Sequence, residues 1–241
     1  NNAMTETPDG TLIMGEYGNV WNGSGWKNLA HLYLSSDKGA TWDRSDFLIG
    51  QGANKHVHVV KYSRLFNKVF VADGDNKKKL WVSDGGDPFD PKNPGWKAVN
   101  RFHIQMGGHT SAVESDGKVL FGTDYQGGTN FLVETKDGKT FASKVVPDPY
   151  RKSPIENMVP RRAGHGSETW ANLPFSTPTT KSLLMFTADG RKTWTKVLEY
   201  NKAYHKVSLL SSAYGTPDAV YFSIADSENR NRAVYKITDL G

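Results

Sequence analysis

Two histidines one residue apart, His56 and His58, are the first residues here whose types and spacing suggest chemistry. In an extended strand, residues i and i+2 project to the same side. Both imidazoles can then share a divalent metal, with His109, His205 or Glu156 completing the set. The same pair can instead line a channel, bonded to backbone or water, or act on a substrate directly. A divalent metal is the one cofactor these residues suggest. Two carboxylate–tyrosine pairs, Glu16-Tyr17 and Asp124-Tyr125, suit two kinds of sugar chemistry. In glycoside hydrolysis, paired carboxylates serve as acid and as base or nucleophile. In eliminative cleavage of a uronic acid sugar, a Tyr or His removes the C5 proton while a cation neutralises the carboxylate. Each pair also fits a plainer role, the tyrosine packing at a rim while the acid caps a turn.

A repeat supplies the elements that would bring such residues together. Ser35 to Trp42, Ser83 to Gly86 (with an insertion before Trp96), Thr135 to Phe141 and Thr187 to Trp194 share a Ser/Thr-x-Asp-Gly-x-x-aromatic turn. They recur at about 50-residue intervals, the length of a propeller blade. In such a turn the Asp side chain accepts hydrogen bonds from the backbone N–H groups that follow it. The Gly permits positive φ, and the aromatic residue packs back on the sheet. An apolar run leads into each turn, two further strand-like runs stand ahead of it, and a fourth follows the turn. Thr11–Gly15 and His31–Leu34 precede the first turn, and Ser45–Ile49 follows it as a fourth strand. Val207–Leu210, Ala219–Ile224 and Ala233–Ile237 form a fifth unit with no such turn and no fourth strand. Helical periodicity is absent. The pattern predicts an all-β chain: a β-propeller of about five four-stranded blades, with the Asp-Gly turn between the third and fourth strands of each. Residues 1–241 read as a single propeller domain. The abrupt opening, Asn1-Asn2-Ala3-Met4, suggests a piece of a longer precursor.

In a propeller, the loops leading into first strands share a face with those joining second to third strands. That rim is the expected site, away from the Asp-Gly turns. It collects His58, His109, Tyr17, Tyr125, Glu16 and Asp124 as candidate catalytic groups. Asp75, Glu156, His205 and Arg151 are candidate substrate contacts, and His56 with His58 the candidate metal ligands. Arg161 to Glu168, with His165, reads as a connection between first and second strands, on the opposite face.

Composition narrows the partners. With no cysteine, disulfides and thiolate metal sites are excluded. The formal net charge of +5 is scattered; Lys77-Lys78-Lys79 is the one tight run, and it suits a solvated hairpin tip or mild attraction for an acidic polysaccharide. Nothing points to nucleic acid. No apolar run approaches the ~20 residues of a membrane helix, and there is no signal-peptide pattern.

The repeated turns resemble the Asp-box (BNR) repeats of sialidase-like propellers. His56-Val57-His58-Val59-Val60, Gly74-Asp75 and Ser83-Asp84-Gly85 look like bacterial and phage proteins of that kind. The resemblance implies an extracellular or surface-associated protein with a polysaccharide or glycan as partner. It also implies that the Asp boxes lie opposite the active site. True sialidases resemble one another in an Arg-Ile-Pro element and a triad of arginines; this chain has no Arg-Ile-Pro, and no triad is legible among Arg44, Arg101, Arg151, Arg161 and Arg162. The expected function is therefore polysaccharide cleavage, by hydrolysis or elimination. The alternative is a non-catalytic propeller that binds glycan or a receptor.

Overall fold

In the computed structural model, residues 2–27, 29–53, 55–74, 79–83, 95–99, 108–125, 127–174, 181–189, 192–210, 216–228 and 231–238 are described. The expected second turn, at Asp84 to Gly86, and Asp75 lie outside them.

Consecutive strands pair in order into sheets. The first sheet holds β1 (Met4–Glu6), β2 (Leu12–Gly15), β5 (Leu32–Ser35) and β6 (Asp43–Ser45), with a small ribbon of β3 (Val20–Trp21) and β4 (Trp26–Lys27) between β2 and β5. The second holds β7 (Val57–Ser63), β8 (Lys68–Asp73), β9 (Leu80–Ser83) and β10 (Trp96–Ala98). The third is β11 (Gly108–Ser115), β12 (Lys118–Asp124), β13 (Phe131–Thr135) and β14 (Ala142–Val145). The fourth is β15 (Asn157–Ala163), β16 (Gly166–Leu173), β17 (Lys181–Thr187) and β18 (Thr195–Asn201). The last has three strands, β19 (His205–Leu209), β20 (Val220–Asp226) and β21 (Arg232–Ile237). Among the described residues the chain is all-β apart from one helical turn, and none of its helices is long and apolar enough to cross a membrane.

Burial separates inner from outer strands. β7, β8, β12 and β16 are buried along most of their length, whereas β14 and β21 are almost wholly exposed. A strand covered on both faces loses the alternating pattern and becomes a continuous apolar run. Val57, Val59 and Val60, and Val119, Leu120 and Phe121, follow that rule.

The chain divides into two compact units, residues 1–110 with 137–140, and residues 111–136 with 141–241; one division falls inside β11. The core of the first unit gathers Ile13, Leu32, Leu48, Val57, Val71 and Trp81. The second has one cluster around Leu120, Ile155, Met158 and Leu183, and another around Trp170, Leu184, Val207 and Val220. A repeated junction appears within each unit. The carbonyl of Glu16, just past β2, accepts the N–H of Val57 at 2.8 Å, and the carbonyl of Thr123 in β12 accepts that of Ile155 at 3.1 Å. The glycine beside each acceptor has no room for a side chain: a Cβ on Gly15 would lie 2.3 Å from Val57, and one on Gly122 2.5 Å from Ile155.

The Asp-Gly turns sit between third and fourth strands, as expected. Asp37 accepts bonds from the Thr41 N–H at 2.9 Å, the Thr41 hydroxyl at 2.6 Å and the Ser35 hydroxyl at 2.7 Å. The Asp137 and Asp189 carboxylates bind Thr140 and Thr193 in the same way. These bonds, that of the Thr41 hydroxyl first, hold the Asp37 carboxyl down at about 2. Asp189 is lowered likewise, chiefly by the Thr193 hydroxyl.

The expected strand over Ser45–Ile49 is corrected. β6 ends at Ser45, and α1 (Phe47–Gly50) follows as a single helical turn, with Gly50 N–H donating to the Asp46 carbonyl at 3.0 Å. Three consecutive apolar residues cannot all face one side of a strand. The helical turn buries Leu48 fully and lays Phe47 against Trp81, ring centroids 5.3 Å apart. Arg161 and Arg162 also lie within β15 and not in the turn after it.

Candidate functional site

The first unit brings four of the expected residues together. β7 starts with a bulge between Val57 and Val59, and it places His56 and His58 side by side. Their rings stack with centroids 4.8 Å apart and their Nε2 atoms 2.8 Å apart. Both are buried, at 2% and 7% exposure. His56 Nδ1 faces Asn19 Oδ1 at 3.2 Å. An amide oxygen only accepts, so His56 carries its proton on Nδ1. When His56 is neutral, its Nε2 is a lone pair and the bond between the rings is donated by His58 Nε2–H. The geometry is that of two imidazoles sharing a proton.

The spacing bears on the metal expectation. Two nitrogens on one tetrahedral zinc, each about 2.0–2.1 Å from the ion, stand about 3.3 Å apart, wider than the 2.8 Å found here. Among the described residues no group of three or more His, Asp or Glu side chains is arranged to hold a metal ion.

Gly74 makes the pair possible. A Cβ there would lie 2.5 Å from His58 Nε2 and 2.6 Å from His56 Cδ2, and the Gly74 N–H donates to the His56 carbonyl at 2.8 Å. His109, fully buried in β11, titrates in the field of His58. Burial, and then repulsion from His58, lowers its pKa to about 4. Asp73, buried beneath, accepts Trp81 Nε1–H at 3.0 Å and the Lys79 N–H at 3.1 Å, so it is a structural carboxylate.

Tyr17 is the solvent-facing member. It is 61% exposed, and its ring centroid lies 4.3 Å from that of His56 and 5.7 Å from that of His58. Glu16, beside it, accepts the Tyr33 hydroxyl at 2.8 Å. Burial, then this bond, raises the Tyr33 pKa.

The other expected residues lie in the second unit and are described separately. Asp124 and Tyr125 close β12, both half-buried. Asn130 organises the loop that follows: Oδ1 accepts the Tyr125 N–H at 2.7 Å and Nδ2 donates to the Tyr125 carbonyl at 3.1 Å. Asn130 also donates its N–H to the Arg151 carbonyl at 2.8 Å, so Tyr125 and Arg151 are neighbours. The exposed Arg151 guanidinium pairs with Asp148 at 3.1 Å. Glu156 is exposed and accepts Asn172 Nδ2–H at 3.3 Å; the same amide reaches the Val207 carbonyl at 2.9 Å. His205 is exposed at the start of β19, in register with Asp226.

Sequence reasoning missed several features. Asn130 and Asn172 are single buried amides with no motif around them. The cross-strand pair Arg161–Glu168, 3.0 Å apart and buried, is held further by Trp170 Nε1–H on Glu168 at 2.8 Å and by Arg161 Nε–H on the Asp218 carbonyl at 3.2 Å. Arg161 also bonds the Thr238 carbonyl. A cavity of about 260 Å³, lined among others by Lys118, Glu134, Ser143 and Trp194, opens beside the third sheet.

No family model matches the sequence, and no curated protein matches it. Solved structures do resemble it. A triple arginine-to-alanine mutant of AofleA from Arthrobotrys oligospora aligns over 97% of this chain and 67% of its own, at 13% identity and a TM-score of 0.52. The polysaccharide lyase Uly1 aligns over 99% of this chain and 57% of its own, at 10% identity and a TM-score of 0.50. A Trypanosoma rangeli sialidase bound to the inhibitor DANA aligns over 94% and 42%, at 13% identity and 0.47. At such identities the likeness is one of fold, and the neighbours are β-propellers.

Proposed function

We propose that residues 1–241 form a single β-propeller of about five blades that cleaves an extracellular polysaccharide at the rim away from the Asp-Gly turns. One observation carries the reading: the exposed Tyr17 phenol lies directly on the buried His56/His58 pair, whose Nε2 atoms are 2.8 Å apart. A phenol backed by a mobile proton suits elimination from a uronic acid sugar better than hydrolysis. Hydrolysis needs two carboxylates flanking one bond, and Glu16 is already bound by Tyr33. In the elimination, Tyr17 and His58 share the proton transfers. One takes the C5 proton, the C5–H electron pair forms the C4=C5 double bond, the C4–O bond breaks, and the leaving oxygen takes a proton from the other. His56 acts behind His58 by accepting or returning the shared proton. Asp124 and Tyr125 are further catalytic candidates, and Glu156, Arg151, His205 and Asp75 candidate substrate contacts. That the neighbours include a polysaccharide lyase supports the carbohydrate assignment.

A polysaccharide panel tests this, with reducing ends and the ultraviolet absorbance of unsaturated uronate read together. Growth of both signals is expected for a uronate polymer. Reducing ends alone would make the reaction a hydrolysis. Blank signals across a broad panel, with glycan still bound, would leave a non-catalytic glycan- or receptor-binding propeller. In an active protein, Tyr17→Phe and His58→Ala should each lower turnover by about 10²–10⁴, with a cooperative melting transition showing that each variant is folded. Full turnover in either variant removes that residue from the mechanism.

A further inference from the structure

The loop carrying Tyr17 and Asn19 does not return directly to β5. It runs out into the β3–β4 ribbon, whose cross-strand partners are Val20↔Lys27 and Trp21↔Trp26. Asn22 fixes the turn: Oδ1 accepts the N–H groups of Ser24 at 3.1 Å and Gly25 at 2.9 Å, and the Asn22 N–H donates to the Gly25 carbonyl at 3.0 Å. On this ordered tip Trp21 and Trp26 are 56% and 59% exposed. Their rings meet at 74° with centroids 5.6 Å apart. An edge-to-face pair leaves indole faces open. Neither ring belongs to the core of the first unit.

We propose that Trp21 and Trp26 form a stacking platform that holds a sugar of the same polysaccharide chain whose neighbouring residue meets Tyr17. The proposal rests on the glycan-active reading above. Three observations commit it to a glycan. The ribbon is continuous with the site: Val20 follows Asn19, the residue bonded to His56, and Trp21 starts within about 7 Å of it by chain reach. The exposed area is small. At these exposures, Trp21, Trp26 and Tyr17 together present on the order of 400 Å², about half of the ~800 Å² that each partner contributes to a stable protein interface. The flank is polar and cationic, with exposed Asn22, Ser24 and Lys27 around the indoles. The apolar C–H face of a pyranose ring matches an open indole face, and Lys27 favours a uronate carboxylate.

Affinity electrophoresis tests this, in gels containing polygalacturonate, alginate or arabinan. All proteins carry His58→Ala, so that turnover does not erode the matrix. The reference should be retarded by a uronate polymer. W21A/W26A should weaken that binding at least tenfold, and W21F/W26F, which keeps an aromatic surface, should recover part of it. A melting midpoint within a few degrees of the reference confirms that each variant is folded. Equal retardation of W21A/W26A and the reference overturns the platform and leaves the cleavage reading standing. Tryptophan-dependent retardation in a protein whose active form cleaves nothing supports the platform and overturns cleavage. No retardation of the reference in any of the three gels overturns the platform.

Discussion

His109 is a histidine placed where it resists protonation. It is fully buried, and its pKa falls from 6.5 to about 4, by burial first and by His58 second. The unfolded chain therefore binds a proton at His109 that the folded chain refuses between those two values. Stability from this residue is complete above about pH 6.5, declines as pH falls, and is lost by about pH 4. The full loss is roughly 3 kcal/mol, at ~1.4 kcal/mol per pKa unit. Urea unfolding at neutral pH and at about pH 4.5 measures it. His109→Gln should show a distinctly smaller pH-dependent loss than the parent; an equal loss in both assigns the acid sensitivity elsewhere. The residues of the imidazole pair were legible because a strand repeats every two positions, so His56-x-His58 announces a shared side without any structure. Asn19 and Gly74 were not legible as parts of it. Asn19 lies 37 positions from His56, and Gly74 matters only for the space it leaves beside two rings.

At the scale of elements, the Asp-Gly turns were readable because their bonds are local. Asp37, Asp137 and Asp189 each bind groups within four residues, so composition and spacing contain the interaction. The failures were also physical. Phe47-Leu48-Ile49 reads equally as a strand or as one helical turn, and the core pocket that takes Leu48 decides between them. Arg161 reads as a charged loop residue and Glu168 as the first residue of a strand, yet they meet across β15 and β16 at 1% and 0% exposure. There Arg161 also reaches carbonyls of Asp218 and Thr238, fastening the segment before β20 and the one after β21. Removing one member of a buried pair strands the other's charge, at a cost of about 3–5 kcal/mol. Arg161→Ala should therefore destabilise the protein strongly. The double replacement R161M/E168L should recover most of the loss, because apolar residues of similar volume can substitute for a buried pair. Chemical denaturation of the three proteins checks this. A loss below about 1 kcal/mol in Arg161→Ala would show that the Glu168 charge is met by water or by His165, whose Nε2 lies 3.1 Å from it.

For the whole molecule, the reading of 1–241 as one propeller domain makes a prediction about cooperativity. Small single domains unfold all or none, whereas independent domains unfold in separate steps. The chain has no cysteine, so one can be introduced as a unique labelling point in each compact unit. Asp43→Cys reports on the first unit and Ser143→Cys on the second, both at exposed strand positions. In urea, the two labels should report the same midpoint. The decisive comparison adds Arg161→Ala, whose partners all lie in the second unit. If 1–241 is a single cooperative domain, that change moves the Asp43→Cys transition as far as the Ser143→Cys transition. If only the second moves, the two units fold independently, and the propeller must be redrawn as two separate β-sheet bodies. The functional stakes follow directly, because Tyr17 and the imidazole pair belong to the first unit while Tyr125, Arg151 and Glu156 belong to the second.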